Sequence, residues 1–374
     1  MKALLAIFLL SVLPPPPVSS SWPLWDHYED HFIQNDGRVV DYERDNLTTS
    51  EGQSYAMFFA LVANDRPGFE RIYHWTVQNL AGGDLANNLP AWSWGRKPDG
   101  TLGVKDSNSA SDADLWIAYD LIQAGRLWKR PDYTTTGDAL LKQIAAREVS
   151  NAHSFPVLLP GHTGFEHEGT SLSNPSYMPL FLLEAAAKAQ PTGPWKAMAN
   201  SLPTIIQKTS INGFATDWFK IDSDGMMTPS AALDSGSDEA SGSYDAVRVY
   251  LWAGITSAST PGREAILKSL SGMTSYLKVH QLPPESVSGS QLNPHGTGPV
   301  SFSAALIPFL LSVQELNAAT AQQKRLDAAL SPRTGLYGNP PRYYDQNLAM
   351  FSVGYTTHKY RIQSNGDVEV LWRR

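Results

Sequence analysis

The chain has 374 residues, 42% hydrophobic and 17% charged, which is enough apolar material for a large core and excludes a disordered chain. The low charged share argues against a coiled coil. A net charge of −7 with scattered basic residues argues against a nucleic-acid groove, which selects clustered Lys and Arg.

Lys2 followed by the apolar run Ala3–Leu13 reads as a secretory signal, too short to span a bilayer comfortably. Pro14–Pro17 break any helix there, and Val18, Ser19 and Ser20 supply small residues near a cleavage point. We expect residues 1–20 to be removed and 21–374 to form one domain, though an uncleaved anchor has a similar look. The chain has no cysteine, so thiol catalysis, disulfide staples and cysteine-ligated metals are excluded. An exported protein without disulfides relies on its core, which points to the periplasm or medium of a bacterium.

Helical patterns are expected near Pro23–Gln34, Glu51–Asn64, Gly68–Ala81, Asp112–Leu127, Tyr133–Val149 and Tyr177–Ala189. Others are expected near Pro194–Thr209, Gly242–Ile255, Gly262–Val279, Phe302–Val313, Ala319–Leu330 and Tyr344–Val353. Thr48, Thr49 and Ser50 supply N-caps for Glu51–Asn64, whose apolar residues lie on every face, the mark of a buried helix. Gly68–Ala81 and Gly262–Val279 are more amphipathic, as an outer layer should be. The buried starts near Glu51, Asp112, Tyr177 and Gly242 recur about every 60–65 residues, longer than the ~20–50 of a solenoid. The expected fold is therefore all-α, an (α/α)6 barrel of six helical hairpins. Tyr360–Gln363 and Val368–Trp372 add a small β-hairpin near the C-terminus.

The chemistry lies in the first turns of the buried helices. Glu51, Asp112 with Asp114, Tyr177, Asp245 and Tyr343-Tyr344-Asp345 each open one. In a ring of inner helices running the same way, these starts converge on one end. A single first-turn acid is explained by the helix dipole and unpaired N–H groups. A carboxylate at a buried start is costly unless it is paired, protonated or facing water, and several sharing one end exceed what capping explains. Two carboxylates across a cleft suffice to hydrolyse a glycosidic bond: one protonates the leaving oxygen, the other deprotonates a water or attacks. Glu51 suits the acid because the run after it is almost uncharged. Asp245 suits the base because Arg248, three residues on, shares its helix face.

Ala110-Ser111-Asp112-Ala113-Asp114-Leu115-Trp116-Ile117-Ala118, continuing to Ala124 and Trp128, resembles the signature of glycoside hydrolase family 8. Glu51 in Thr-Ser-Glu-Gly-Gln-Ser-Tyr-Ala and Asp245 in Tyr-Asp-Ala-Val-Arg resemble that family's other two blocks, in the right order. The likeness runs from about Trp25 to the C-terminus, and Asp120 departs from it, standing where a small Ser or Ala is expected. With the export signal and the Tyr343–Leu348 ending, it is most similar to the branch of periplasmic endoglucanases made alongside bacterial cellulose synthase. The resemblance implies cleavage of internal β-1,4-glucosidic bonds with inversion, Glu51 as general acid, Asp245 as general base, and Asp112 gripping the distorted sugar. Inversion requires room for a water, hence carboxyls ~6.5–9.5 Å apart rather than ~5–5.5 Å.

A β-glucan presents flat apolar faces edged by hydroxyls, so aromatic platforms with polar rims are expected. Trp92 and Trp94, in a Gly/Pro-bearing loop, are candidate platforms. Tyr177 and Tyr344 are positioned to stack or hydrogen-bond, and Tyr244 and Arg248 to orient the base's water. Trp116, Trp128 and Trp252 lie within helices and read as core. Asp222-Ser223-Asp224-Gly225 lacks the later Glu of a calcium loop and reads as a turn, and the nine His show no zinc spacing. No metal or cofactor is expected. The expected partners are β-1,4-glucan chains and a cellulose synthase export complex, with the chain itself a monomer. Rival readings are a family-8 xylanase, lichenase or chitosanase, a polysaccharide lyase, or a non-catalytic periplasmic glycan-binding protein.

Overall fold

A helix that is apolar on every face has to be surrounded by other helices, and the architecture follows from that requirement. The computed structural model describes residues 21–231 and 239–373, so the expected signal segment lies outside the described residues. Along the chain run α1 (Pro23–Phe32), α2 (Ser50–Ala63), α3 (Arg66–Leu80), α4 (Ser111–Trp128), α5 (Pro131–Arg147), α6 (Leu180–Ala189) and α7 (Trp195–Thr209). They are followed by α8 (Ala246–Ile255), α9 (Arg263–Ser269), α10 (Ser271–Val279), α11 (Val300–Ser312), α12 (Leu316–Ala329) and α13 (Tyr343–Thr356).

The helices alternate outer and inner in an (α/α)6 barrel. The inner ring is α2, α4, α6, α8, α11 and α13, closed where α13 meets α2. In α2 every residue from Gly52 to Val62 is buried, and in α8 every residue from Ala246 to Ile255. Inner helices converge on an aromatic plug at the barrel axis. Trp116 of α4 packs 5.2 Å from Phe58 of α2, 5.7 Å from Phe181 of α6, 5.5 Å from Trp252 of α8 and 5.2 Å from Phe351 of α13, measured between ring centroids. These edge-on and tilted contacts add to the burial of large apolar area, and they make Trp116 and Trp252 core residues, as the helical spacing predicts. Trp128 is also buried.

Two inner helices meet backbone to backbone. A Cβ on Gly254 of α8 would lie 2.4 Å from the Phe309 nitrogen of α11, so only glycine permits this approach. The expected single helix Gly262–Val279 is instead two, α9 and α10, broken at Leu270. The turn at Gly213 crosses that point, where the Gly272 N–H donates to the Gly213 carbonyl at 2.9 Å.

The connections leading into the inner helices carry small antiparallel sheets that helical periodicity does not reveal. Thr48–Thr49 pairs with Ser93–Arg96 and that with Leu102–Asp106; Ser241–Gly242 pairs with Ser286–Ser288. A four-stranded sheet joins Glu166–His167, Thr170–Ser173, Trp218–Ile221 and Met227–Ser230. Asp222 sits in the tight turn of that sheet, accepting the Asp224 and Met226 N–H groups, so the segment is a turn as expected. The C-terminal hairpin, Tyr360–Ile362 with Val368–Val370, closes the far end of the barrel. There Asp367 accepts from Gln123 late in α4 and the Gly366 carbonyl accepts from Tyr119. No described helix is long and apolar enough to cross a membrane.

Candidate active site

Five inner-helix starts open on one cleft of about 390 Å³: Glu51, Asp112, Tyr177, Asp245 and the Tyr343–Tyr344 pair all line it. The short sheets aim them. Thr49 ends a strand and caps α2, its hydroxyl accepting the Gly52 N–H at 3.1 Å, which places Glu51 in the first turn. Asp112 sits in the first turn of α4, almost fully buried, and accepts the Ala113 N–H at 2.8 Å. Asp245 stands at the entry to α8.

Arg248 joins the acids. Its Nη2 donates to Asp245 Oδ1 at 2.5 Å, while Nη1 donates to Glu51 Oε2, to Tyr55 Oη at 3.2 Å and toward Asp112 Oδ2 at 3.5 Å. The second Asp245 oxygen accepts from Asn174 Nδ2 at 2.9 Å. The run after Glu51 is uncharged, as its sequence shows, but a charge reaches Glu51 from α8. One guanidinium thus serves three carboxylates, and Glu51 and Asp245 bind different nitrogens of it. Burial pushes the Asp112 carboxyl up to about 7, with the Glu51 charge adding and Arg248 opposing. Burial likewise keeps the Tyr177 and Tyr344 phenols protonated.

Trp92 lines the cleft, held between α2 and the next loop: its carbonyl accepts the Ser50 N–H at 3.0 Å and its N–H donates to Asn108 at 2.8 Å. Trp94 is not brought there. The strand register shifts between Ser93 and Trp94, and the Trp94 ring lies under Arg38 at 4.4 Å and edge-on to Trp75 at 5.2 Å. Its packing reasons lie in residues distant in sequence. Tyr244 is half exposed at the rim, its ring 5.4 Å from Tyr344, whose hydroxyl donates to the Tyr244 carbonyl at 2.5 Å.

Asp114 and Asp345, also in first turns, turn away from the cleft. Asp114 is fully buried with its carboxyl held protonated by burial and by Glu148, and Asp345 bonds to Ser301. Asp120, the departure from the signature, is fully buried along α4 with no hydrogen-bond partner for either oxygen among the described residues. Burial keeps it protonated, far from the cleft end. Asp41 and Arg44 line the cleft without having stood out in the sequence. Among the described residues no cluster of His, Asp and Glu is arranged to hold a metal.

A closed ring of helical hairpins with several carboxylates and aromatic rings around one open cleft defines a carbohydrate-cleaving enzyme of the (α/α)6 class. The chain belongs to glycosyl hydrolases family 8, whose family model matches residues 1–358. It is 41% identical over 370 residues to an endoglucanase of Xanthomonas axonopodis pv. citri, covering 98% of this chain and 94% of that one. It is 40% identical over 354 residues to an endoglucanase of Salmonella typhi, covering 94% and 91%. The crystal structure of an endo-1,4-D-glucanase from Vibrio fischeri ES114 superposes with a TM-score of 0.86 at 36% identity, over 95% of this chain and all of that one.

Proposed function

We propose that the protein is an inverting endo-β-1,4-glucanase in which Glu51 is the general acid and Asp245 the general base. The observation that carries this reading is the placement of the two carboxylates on separate nitrogens of Arg248, with both lining one open cleft. Asp245 takes a proton from water as its oxygen attacks the anomeric carbon, and Glu51 gives its proton to the departing glycosidic oxygen. The proton gained by Asp245 and that lost by Glu51 are exchanged with solvent after the products leave. Asp112, protonated up to about neutrality, can donate a hydrogen bond to a hydroxyl of the distorted sugar. Trp92, Tyr177, Tyr244 and Tyr344 supply ring faces and hydroxyls for the glucan.

The Xanthomonas and Salmonella relatives, named endoglucanases, support β-1,4-glucan as substrate over the xylan, mixed-linkage glucan or chitosan of other family members. A uronate lyase is disfavoured by charge. Arg248 already faces three carboxylates, and Arg44 shares the cleft lining with Asp41, so acids outnumber cations there and a polyanionic chain meets net repulsion. Side-by-side assays on carboxymethylcellulose, xylan, lichenan and chitosan test the substrate. We expect the fastest cleavage on carboxymethylcellulose, and faster cleavage of xylan or chitosan would displace it.

We further propose that residues 1–20 are a cleaved signal, that 21–374 act as one domain, and that the enzyme works in the periplasm or medium as a monomer. In that setting it trims β-1,4-glucan beside a cellulose synthase export complex. Lys2, the apolar run Ala3–Leu13 and the lack of cysteine support export. N-terminal sequencing of the periplasmic form would locate the mature start.

A further inference from the structure

We infer that Asp217 is a positioning residue for Asp245: it caps α8 from a separate strand, which frees the Asp245 carboxylate to face the cleft. The inference rests on the reading of Asp245 as base. An Asp at the N-cap of a helix ordinarily turns its carboxylate back onto the first-turn N–H groups. Asp245 occupies that position at α8 but makes no such bond. Asp217, which leads into the strand Trp218–Ile221, does it instead. Its Oδ1 accepts the Ser243 N–H at 2.8 Å and the Ala246 N–H at 2.8 Å, and its Oδ2 accepts from Ser241 Oγ at 3.1 Å. Its own N–H donates to the Ser241 carbonyl at 2.8 Å.

The chain is therefore gripped on both sides of Asp245, two residues before it and one after. The Asp245 oxygens, relieved of capping, are left to Arg248 and Asn174. Without this external cap, the lowest-energy use of the Asp245 carboxylate would be its own helix end, which points it away from any substrate. Asp217 is also nearly buried, and burial together with the Asp245 charge pushes its carboxyl up to about 6. The remaining groups facing Asp245 are Arg248 on its own helix, Glu51 of α2, Asp112 of α4, Tyr177 and Tyr344 of α13. Asp217 thus combines a geometric effect with an electrostatic one, and the two are separable by substitution.

Asp217→Asn keeps an oxygen that can accept both N–H groups and removes the charge. Asp217→Ala removes both. The test compares these two and Asp245→Asn, in the full chain, by melting temperature, cellohexaose binding, kcat and KM on a soluble β-glucan, and the pH profile of kcat/KM. For Asp217→Ala we expect kcat to fall about 10–100-fold, the scale of a small misplacement of a catalytic group, with KM and cellohexaose binding within about threefold of native. Asp217→Asn should restore kcat to within about fivefold. Asp217 keeps its proton up to about 6 and so is already neutral on the acidic limb, which should stay in place in Asp217→Asn. A native kcat for Asp217→Ala, or a kcat for Asp217→Asn no better than that of Asp217→Ala, would overturn the inference. Should Asp217→Ala not fold, Asp217→Ser, whose hydroxyl is too short to reach both N–H groups, takes its place with the same expected fall in kcat. Substantial activity in Asp245→Asn would instead remove the base assignment, whereas an inactive Asp245→Asn beside native-like Asp217 variants removes only the positioning role.

Discussion

Asp245→Asn and Glu51→Gln are each expected to slow glucan hydrolysis by at least about 10²–10⁴-fold while leaving cello-oligosaccharide binding within a few-fold of native. Both substitutions keep size and shape, so the loss reports proton transfer. They differ in a second way. Asp245 accepts on both oxygens, from Arg248 and from Asn174, and the Asn174 carbonyl oxygen is already taken by the Ser176 N–H at 2.9 Å and hydroxyl at 2.7 Å. Asn174 cannot flip without losing those bonds, so the new amide at 245 meets a donor and the defect falls toward the larger end. Glu51→Gln keeps an acceptor for Arg248 and loses only the transferable proton. An aryl cellobioside whose leaving group needs no protonation should therefore recover much of the rate in Glu51→Gln and none in Asp245→Asn. Measured kcat/KM on both substrate types checks this. Equal recovery in the two variants would reverse or remove the roles.

Removing Arg248 should be the most damaging single change outside the acid and base. Arg248→Ala leaves Glu51, Asp112 and Asp245 facing one another with no cation among them, and breaking a buried ion network of this kind costs about 3–5 kcal/mol. Activity should fall at least about 100-fold, since the fork that separates acid from base is gone. The pH dependence has a definite sign. Asp112 in the native protein already keeps its proton up to about 7, well above the range of an unfolded Asp at ~3.9. Its folded state binds more protons than the unfolded one across that window, so stability declines as pH rises through it and then levels off. Taking away Arg248 removes the charge that opposes this rise in Asp112. The drop in melting temperature relative to native should be larger at pH 8 than at pH 5. Arg248→Lys restores a charge but not a fork, and should recover stability more than rate. A uniform drop at all pH values would mean that the network is not electrostatically coupled.

The helical ring was legible because its inner helices are apolar on every face and recur at a regular spacing; Glu51–Asn64 was placed within one residue of α2 at each end. The acids were legible because a charge at the start of a buried helix stands out against its surroundings. What the sequence hid was held together by short strands and long-range hydrogen bonds. Strands of two to five residues, such as Thr48–Thr49 and Leu102–Asp106, are too brief to show a period. Trp92 and Trp94 look alike in a loop, and only a register shift and the distant Arg38 and Trp75 separate them. Asn174 stood in view beside Tyr177, but its partner lies 71 residues away. Asp217 opens no helix of its own and caps one that begins 29 residues later, so no local signal marks it.

The most direct measurement is the configuration of the sugar first released from a cello-oligosaccharide, followed by proton NMR before the anomers equilibrate. Water entering opposite a β-bond, drawn by Asp245 while Glu51 protonates the departing oxygen, gives the α-anomer first. Early appearance of the β-anomer would mean a covalent intermediate and a carboxylate acting as nucleophile, and the acid–base pair described for this cleft would be contradicted.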